Sequence, residues 1–203
     1  MKKQLSILAI ALLSAATLFS SCKKDDDSVT PTASKQITID ASAYATWKYF
    51  SFESDTVVPV TDFATSTNWD IAFHRGDVRV NCGAAGVGQG GSFNAGKVDF
   101  ASVKEAPATG YSLNTTIKIL ESYTMPPVYV TVPGDTLVTK WLTVVTSNSG
   151  PPSYTFHDYI YIIRTAKGKY AKVWLKDYFN ETGKGGYITM KYAFQADGSR
   201  KFE

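Results

Sequence analysis

Histidine, methionine and cysteine are scarce in this 203-residue chain, which has two His, three Met and two Cys. His74 and His157 stand far apart, and neither sits in an H-x-x-x-H or H-E-x-x-H spacing, so a zinc centre of the usual kind is excluded. No G-x-S-x-G elbow is present, and carboxylates such as Asp70, Asp77 and Asp158 are scattered. Nothing in the sequence asks for an enzyme. An excess of one charge is also missing. Against 21 Lys and Arg stand 18 Asp and Glu, a net +3 with no basic stripe, which argues against a nucleic-acid partner. No window carries an amphipathic helix of several turns, and no internal repeat is visible.

The one long apolar run lies at the N-terminus. Lys2 and Lys3 precede Leu5–Leu18, and the small residues Ser20 and Ser21 precede Cys22. The run is short of the ~20 apolar residues of a membrane-spanning helix. A cysteine directly after small residues is a lipobox arrangement, here L-F-S-S-C, with Phe19 where an aliphatic residue is usual. Residues 1–21 therefore read as a lipoprotein signal peptide, and Cys22 as the lipidated residue. Several acyl chains on one cysteine hold a protein at a membrane without a spanning helix. Residues 22–35, opening Lys23-Lys24-Asp25-Asp26-Asp27 and continuing in Ser, Thr and Pro, read as a flexible tether. Its acidic start resembles the signal that sends lipoproteins of Bacteroidetes to the cell surface; a charged spacer without an address is the alternative. Lipidation of Cys22 leaves Cys82 alone, as a buried small residue or an incidental thiol.

Residues 36–203 read as one all-β body, a compact antiparallel fold with very little helix. The chain has 12 Tyr, 11 Phe and 4 Trp, and alternation recurs in Trp47–Phe52, Trp69–Phe73, Val78–Val80, Thr115–Leu120, Val128–Val132, Tyr159–Ile163, Tyr170–Leu175 and Gly186–Phe194. Thr136–Thr146 is the strongest run. Turns are expected at Pro133-Gly134-Asp135, Asn148–Pro152, Lys167–Lys169 and Ala196–Gly198, with single helical turns within 62–68 and 99–106. Gly86-Val87-Gly88-Gln89-Gly90-Gly91 spells G-x-G-x-x-G, but no helix opens after it to hold a pyrophosphate. Such a loop gives backbone freedom for a tight excursion or a close approach.

Several of these segments, taken in order, resemble the HmuY family. They are Trp47–Phe52, Asn68-Trp69-Asp70-Ile71-Ala72-Phe73-His74-Arg75, Asp77–Asn81 with its glycine-rich sequel, Ile163-Arg164-Thr165-Ala166-Lys167-Gly168-Lys169-Tyr170, and Gly186–Tyr192. The resemblance runs from about Ser42 to Gly198. It implies an almost wholly β fold and a haem-binding lipoprotein at the outer surface that passes its cargo to a TonB-dependent outer-membrane receptor. It also implies two axial donors, one before the long central strands and one ahead of the Ile163–Tyr170 segment; His and Met are the usual donors in carriers.

Past the signal, the candidates are His74, Met125, His157 and Met190. Met125 and His157 fall in the two ligand regions and form the expected pair. Tyr129 and Tyr154, with Tyr123 and Phe156, would cover the porphyrin faces. Each has a plainer alternative: Met125 as a core filler, and His157 capping a loop beside Asp158. His74 reads as structural, Met190 as a packing position, and Arg75 and Arg79 as partners for Asp70 or Asp77. A module of the same fold recognising a glycan or a protein is the competing function.

Overall fold

The computed structural model describes residues 32–147 and 150–202. The signal segment, Cys22 and most of the tether lie outside the described residues. Among those described, the chain forms thirteen strands and three short 3-10 helices, so the all-β reading holds. The fold is built on two larger antiparallel sheets. One is five-stranded, in the order β1 (Ser34–Asp40), β13 (Gly185–Gln195), β12 (Tyr170–Phe179), β11 (Ile160–Arg164), β6 (Gly91–Gly96). The other is four-stranded, in the order β3 (Thr56–Val58), β2 (Lys48–Ser51), β4 (Ile71–His74), β5 (Asp77–Val80). Two hairpins complete it: β7 (Thr115–Ser122) with β8 (Val128–Gly134), and β9 (Leu142–Ser147) with β10 (Gly150–Phe156).

Alternation puts one set of side chains between the two larger sheets. Ile71 and Phe73 of β4 enter this core, and Ala72 between them faces the other way, toward Tyr49 and Trp69. Tyr161 and Ile163 of β11 enter it as well, while Ile162 faces Ala106 and Phe202 behind the five-stranded sheet. The aromatic rings of Phe50 and Phe52 meet Tyr192 across the core, with centroids 5.5 and 5.4 Å apart. Met190 is fully buried in this core, as a packing residue.

The sequence reading missed several features. β1 begins at Ser34 and pairs with β13 along its length; it is an edge strand whose polar outward residues hide the pattern, with Ile39 alone fully buried. Pro133 and Gly134 lie inside β8 rather than in a turn. Thr136–Thr146 is not one strand. Asp135 accepts the N–H groups of Leu137 and Val138 on Oδ1, at 2.9 and 2.7 Å, and so opens a 3-10 turn over Val138–Trp141; β9 starts only at Leu142. Pro151 and Pro152 sit in β10, which β9 pairs on one side and where a register shift falls between Gly150 and Ser153. The expected turn near residue 100 is a 3-10 helix, Phe100–Ser102.

The glycine-rich loop wraps Asn81. Asn81 donates from Nδ2 to the carbonyls of Ser66 and Trp69, and its Oδ1 accepts the Gly88 N–H at 3.1 Å. A Cβ on Gly88 would come within 2.6 Å of the Asn81 carbonyl oxygen, and one on Gly90 within 2.4 Å. Close approach of backbone to backbone explains these glycines.

Candidate functional site: the cleft between the hairpins

The two hairpins face each other across a cleft of about 400 Å³, within the ~300–1,000 Å³ common for small-molecule sites. Strand parity decides which residues line it. Lys118 and Leu120 of β7, with Tyr129 opposite Leu120 on β8, face the cleft; Ile119 and Val130 face away, toward Trp47 and Tyr49. On the opposite wall stand Leu142, Val144 and Thr146 of β9, with Tyr154 of β10 paired to Val144. The floor comes from the body: Arg75 and Gly76 in the β4–β5 turn, Tyr44, and Tyr178 of β12.

Both hairpins are anchored near the β4–β5 pair. The Asp135 N–H donates to the Val78 carbonyl at 2.8 Å, and the Trp141 indole donates to the Gly76 carbonyl at 2.9 Å. Arg79 is fully buried. It donates from Nε to the Pro133 carbonyl and from a terminal nitrogen to the Tyr49 hydroxyl, both at 3.1 Å. Its guanidinium lies 3.8 Å from the Trp47 ring centre and 4.1 Å from that of Phe63. Arg75 donates to the Ser42 carbonyl at 2.9 Å and lies 4.3 Å over the Tyr44 ring. The expected pairing of these arginines with Asp70 or Asp77 does not form. Asp70 instead accepts the backbone N–H groups of Phe52 and Ala166, tying the two sheets together, and Asp77 lies 3.5 Å from His74 Nδ1. His74 is buried, with Nε2 2.6 Å from the Tyr44 carbonyl oxygen, a structural position as expected.

Two cations and several phenols share the polar chemistry of the cleft with Asp77, Thr139 and Thr146. Lys118 Nζ stands 4.9 Å from the Tyr129 ring centre. Tyr154 stacks on Tyr178 with centroids 5.5 Å apart and meets Phe179 edge-on at 4.9 Å. Tyr44 and Tyr123 stack at 6.1 Å. Burial pushes the Tyr178 phenol up to about 12, further from ionisation than an ordinary tyrosine.

Of the residues singled out from sequence, Tyr123, Tyr129 and Tyr154 line this cleft, and Met125, Phe156 and His157 do not. Met125 is 97% exposed in the loop joining β7 to β8, so it is no core filler. His157 follows β10; its N–H donates to the Trp141 carbonyl, its Nε2 lies 2.8 Å from Thr143 Oγ1, and its ring stacks on Tyr159. Thr143 alternates with the cleft-facing Leu142 and Val144, so this histidine sits on the outer face of its hairpin. The residues that sequence reasoning missed are Tyr44, Lys118 and Tyr178, and Arg75 was assigned a different partner. No local motif marks them, because only the meeting of distant segments makes them neighbours.

Set against a haem, these walls fit the ring and its carboxylates: apolar and aromatic surfaces on both sides, with Arg75 and Lys118 for the propionates. They do not supply the usual iron donors. Cys82 is remote from this chemistry too; it is buried, and burial lifts its thiol to about 11. Among the described residues no group of three or more His, Cys, Asp or Glu could hold a metal, and no helix is long and apolar enough to cross a membrane.

Comparison with known proteins agrees with this architecture. A family model of the HmuY protein matches residues 43–192. A crystal structure assigned as a HmuY-like haem-binding protein of Bacteroides vulgatus is 31% identical, covering 80% of this chain and 92% of that one, with a TM-score of 0.66. One assigned as a lipoprotein of Bacteroides fragilis is 25% identical over 80% of this chain and 89% of its own, with a TM-score of 0.65. The apo HmuY analogue of Tannerella forsythia, 23% identical over 83% of this chain and 99% of its own, shares the fold at a TM-score of 0.65. No curated protein is matched. The chain belongs to the HmuY family.

Proposed function

We propose that this protein captures haem in the cleft between its two hairpins and hands it to a TonB-dependent outer-membrane receptor, acting as a binding protein and not as an enzyme. The observation that carries this is the cleft itself: two aromatic and apolar walls with Arg75 and Lys118 at hand for carboxylates, in a chain of a family whose solved relatives include one assigned as haem-binding. In this reading residues 1–21 are the export signal, lipidated Cys22 and the tether hold the body at the outer membrane facing outward, and Tyr129 and Tyr154 flank the porphyrin. A relative assigned as a lipoprotein supports that anchorage.

For iron we propose Met125 as the first donor, swinging in from the β7–β8 loop, where it is free of packing. His157 joins it only if its ring leaves Thr143 and turns past the end of β10. That step gives up one hydrogen bond, worth about 0.5–1.5 kcal/mol, and the stack on Tyr159. Titration with hemin is the test. A Soret band is expected, its position changed by Met125→Ala; no spectral change at micromolar protein removes haem from the account. Loss of the membrane-bound fraction on Cys22→Ala tests the anchor.

One observation favours the second reading, a module of the same fold that recognises a glycan or a protein: among the described residues no His or Met lines the cleft. Binding on a glycan array without any response to hemin is the result that selects it.

A further inference from the structure

The walls of the cleft present rings, hydrocarbon, phenols, two threonines, two cations and one carboxylate, Asp77, which lies beside His74; among the described residues they present none of the iron donors common in haem carriers. We propose that the cleft recognises the porphyrin ring and its carboxylates rather than the iron, so that metal-free porphyrin is a ligand in its own right. This rests on the haem reading above and narrows it.

Three observations carry it. First, Leu120 with Tyr129 on one wall and Val144 with Tyr154 on the other form apposed apolar faces, the surface a flat macrocycle needs whether or not it holds a metal. Second, the cations are preset. Arg75 is held by the Ser42 carbonyl and by its stack on Tyr44, which keeps its fork oriented before any ligand arrives. Lys118 stands over Tyr129 on the wall. Third, the donors that would reward iron are not preset. Met125 is almost wholly in solvent, so using it costs the entropy of fixing a long, flexible side chain. His157 is engaged with Thr143 on the outer face. Tyr178 lies on the floor of the cleft, and burial disfavours its phenolate, the form that binds iron, still further than in a free tyrosine.

The test titrates the purified full chain with hemin and, separately, with protoporphyrin IX, following quenching of its tryptophan fluorescence. The two dissociation constants are expected to agree within about tenfold, where tenfold corresponds to 1.4 kcal/mol. Met125→Ala should change the hemin spectrum yet alter either affinity by less than tenfold. Lys118→Glu, an exposed change that leaves the core intact, should weaken both ligands by the same factor. Hemin binding more than tenfold tighter than protoporphyrin IX overturns the inference and leaves haem capture standing. A Met125→Ala loss beyond tenfold, or a Lys118→Glu effect on hemin alone, does the same. Binding of neither ligand overturns both.

Discussion

Arg79 is the cation on which the cleft wall depends, and removing it is the sharpest test of how the hairpins are held. The side chain is 2% exposed, and among the described residues no carboxylate pairs with it. Its burial depresses its pKa, which registers the cost of keeping a charge there. That cost is met by two hydrogen bonds, to the Pro133 carbonyl and the Tyr49 hydroxyl, and by two ring faces, Trp47 and Phe63. Hydrogen bonds from a charged donor contribute about 1.5–3 kcal/mol each, and cation–π contacts to half-buried rings such as Trp47 and Phe63 about 1–2 kcal/mol each. Arg79→Ala loses all four and takes this donor from the Tyr49 hydroxyl and the partly buried Pro133 carbonyl, while recovering the desolvation of the guanidinium. The net loss should be about 3–5 kcal/mol, because the four lost contacts outweigh the recovered desolvation. In a domain of this size that is a fall in Tm of roughly 6–20 °C, at about 2–4 °C per kcal/mol. Arg79→Lys should recover less than half, because an ammonium group has no planar fork to lie between two rings. Urea unfolding gives the free energy, and amide exchange in β8 shows whether the hairpin loosens first. A loss below about 1 kcal/mol for Arg79→Ala would mean that the ring and carbonyl contacts do not offset the buried charge, and the account of the wall fails.

Three further outcomes follow from other parts of the fold. In a Cys22→Ala background, Cys82 should resist a thiol reagent at pH 8 in the native state and react once unfolded, since its thiol is buried and raised to about 11; rapid native labelling would contradict this. Asp135 is raised by burial, so the folded carboxyl holds its proton more tightly than the unfolded one. Its contribution to stability is full below the ordinary value of 3.8 and is lost as pH rises through the folded value. The wild type should therefore gain stability over Asp135→Asn as pH falls from 7 toward 4, and a flat difference would refute the shift. Gly88→Ala places a Cβ 2.6 Å from the Asn81 carbonyl oxygen and should cost about 1–3 kcal/mol by urea unfolding. Gly150→Ala, which opens onto free space, should cost far less; equal costs would show that close packing is not the reason for Gly88.

The core was legible because alternation with a period of two survives in segments with one buried face and strong side chains. Ile71-Ala72-Phe73 and Tyr161-Ile162-Ile163 divide between two packed layers as the sequence pattern requires. Edge elements were less legible, since β1 carries Ser, Lys, Gln and Thr outward and buries only one residue fully. The break inside Thr136–Thr146 depends on Asp135 capping its own next two residues but one, a local bond that competes with an apolar pattern favouring strand. The glycine run was legible as backbone crowding, though its neighbour, Asn81, was not.

The lining of the cleft was legible in part, and strand parity separates the residues that reach it from those that do not. Tyr123, Tyr129 and Tyr154 are aromatic neighbours of the two expected donors, and all three line the cleft. Tyr44, Lys118 and Tyr178 come from three separate strands or loops, and nothing local announces that they meet. His157 is different, because evidence about it was present in the sequence. Residues two apart on a strand share a face and residues three apart do not. If Tyr154 faces a ligand, Phe156 shares its side and His157 points behind, unless the strand ends first. The strand does end at Phe156, yet the histidine keeps the outward direction, because Thr143 on the back of β9 offers its hydroxyl at 2.8 Å. A Tyr–x–Phe–His segment in a hairpin therefore argues against placing the tyrosine and the histidine around one iron. By the same rule, an iron donor on this wall would belong at residue 144, 146, 152 or 154, and the chain has Val, Thr, Pro and Tyr there. Strand parity thus leads to the same expectation as the cleft lining: this wall binds the ring, and any strong hold on the metal must come from the Met125 loop.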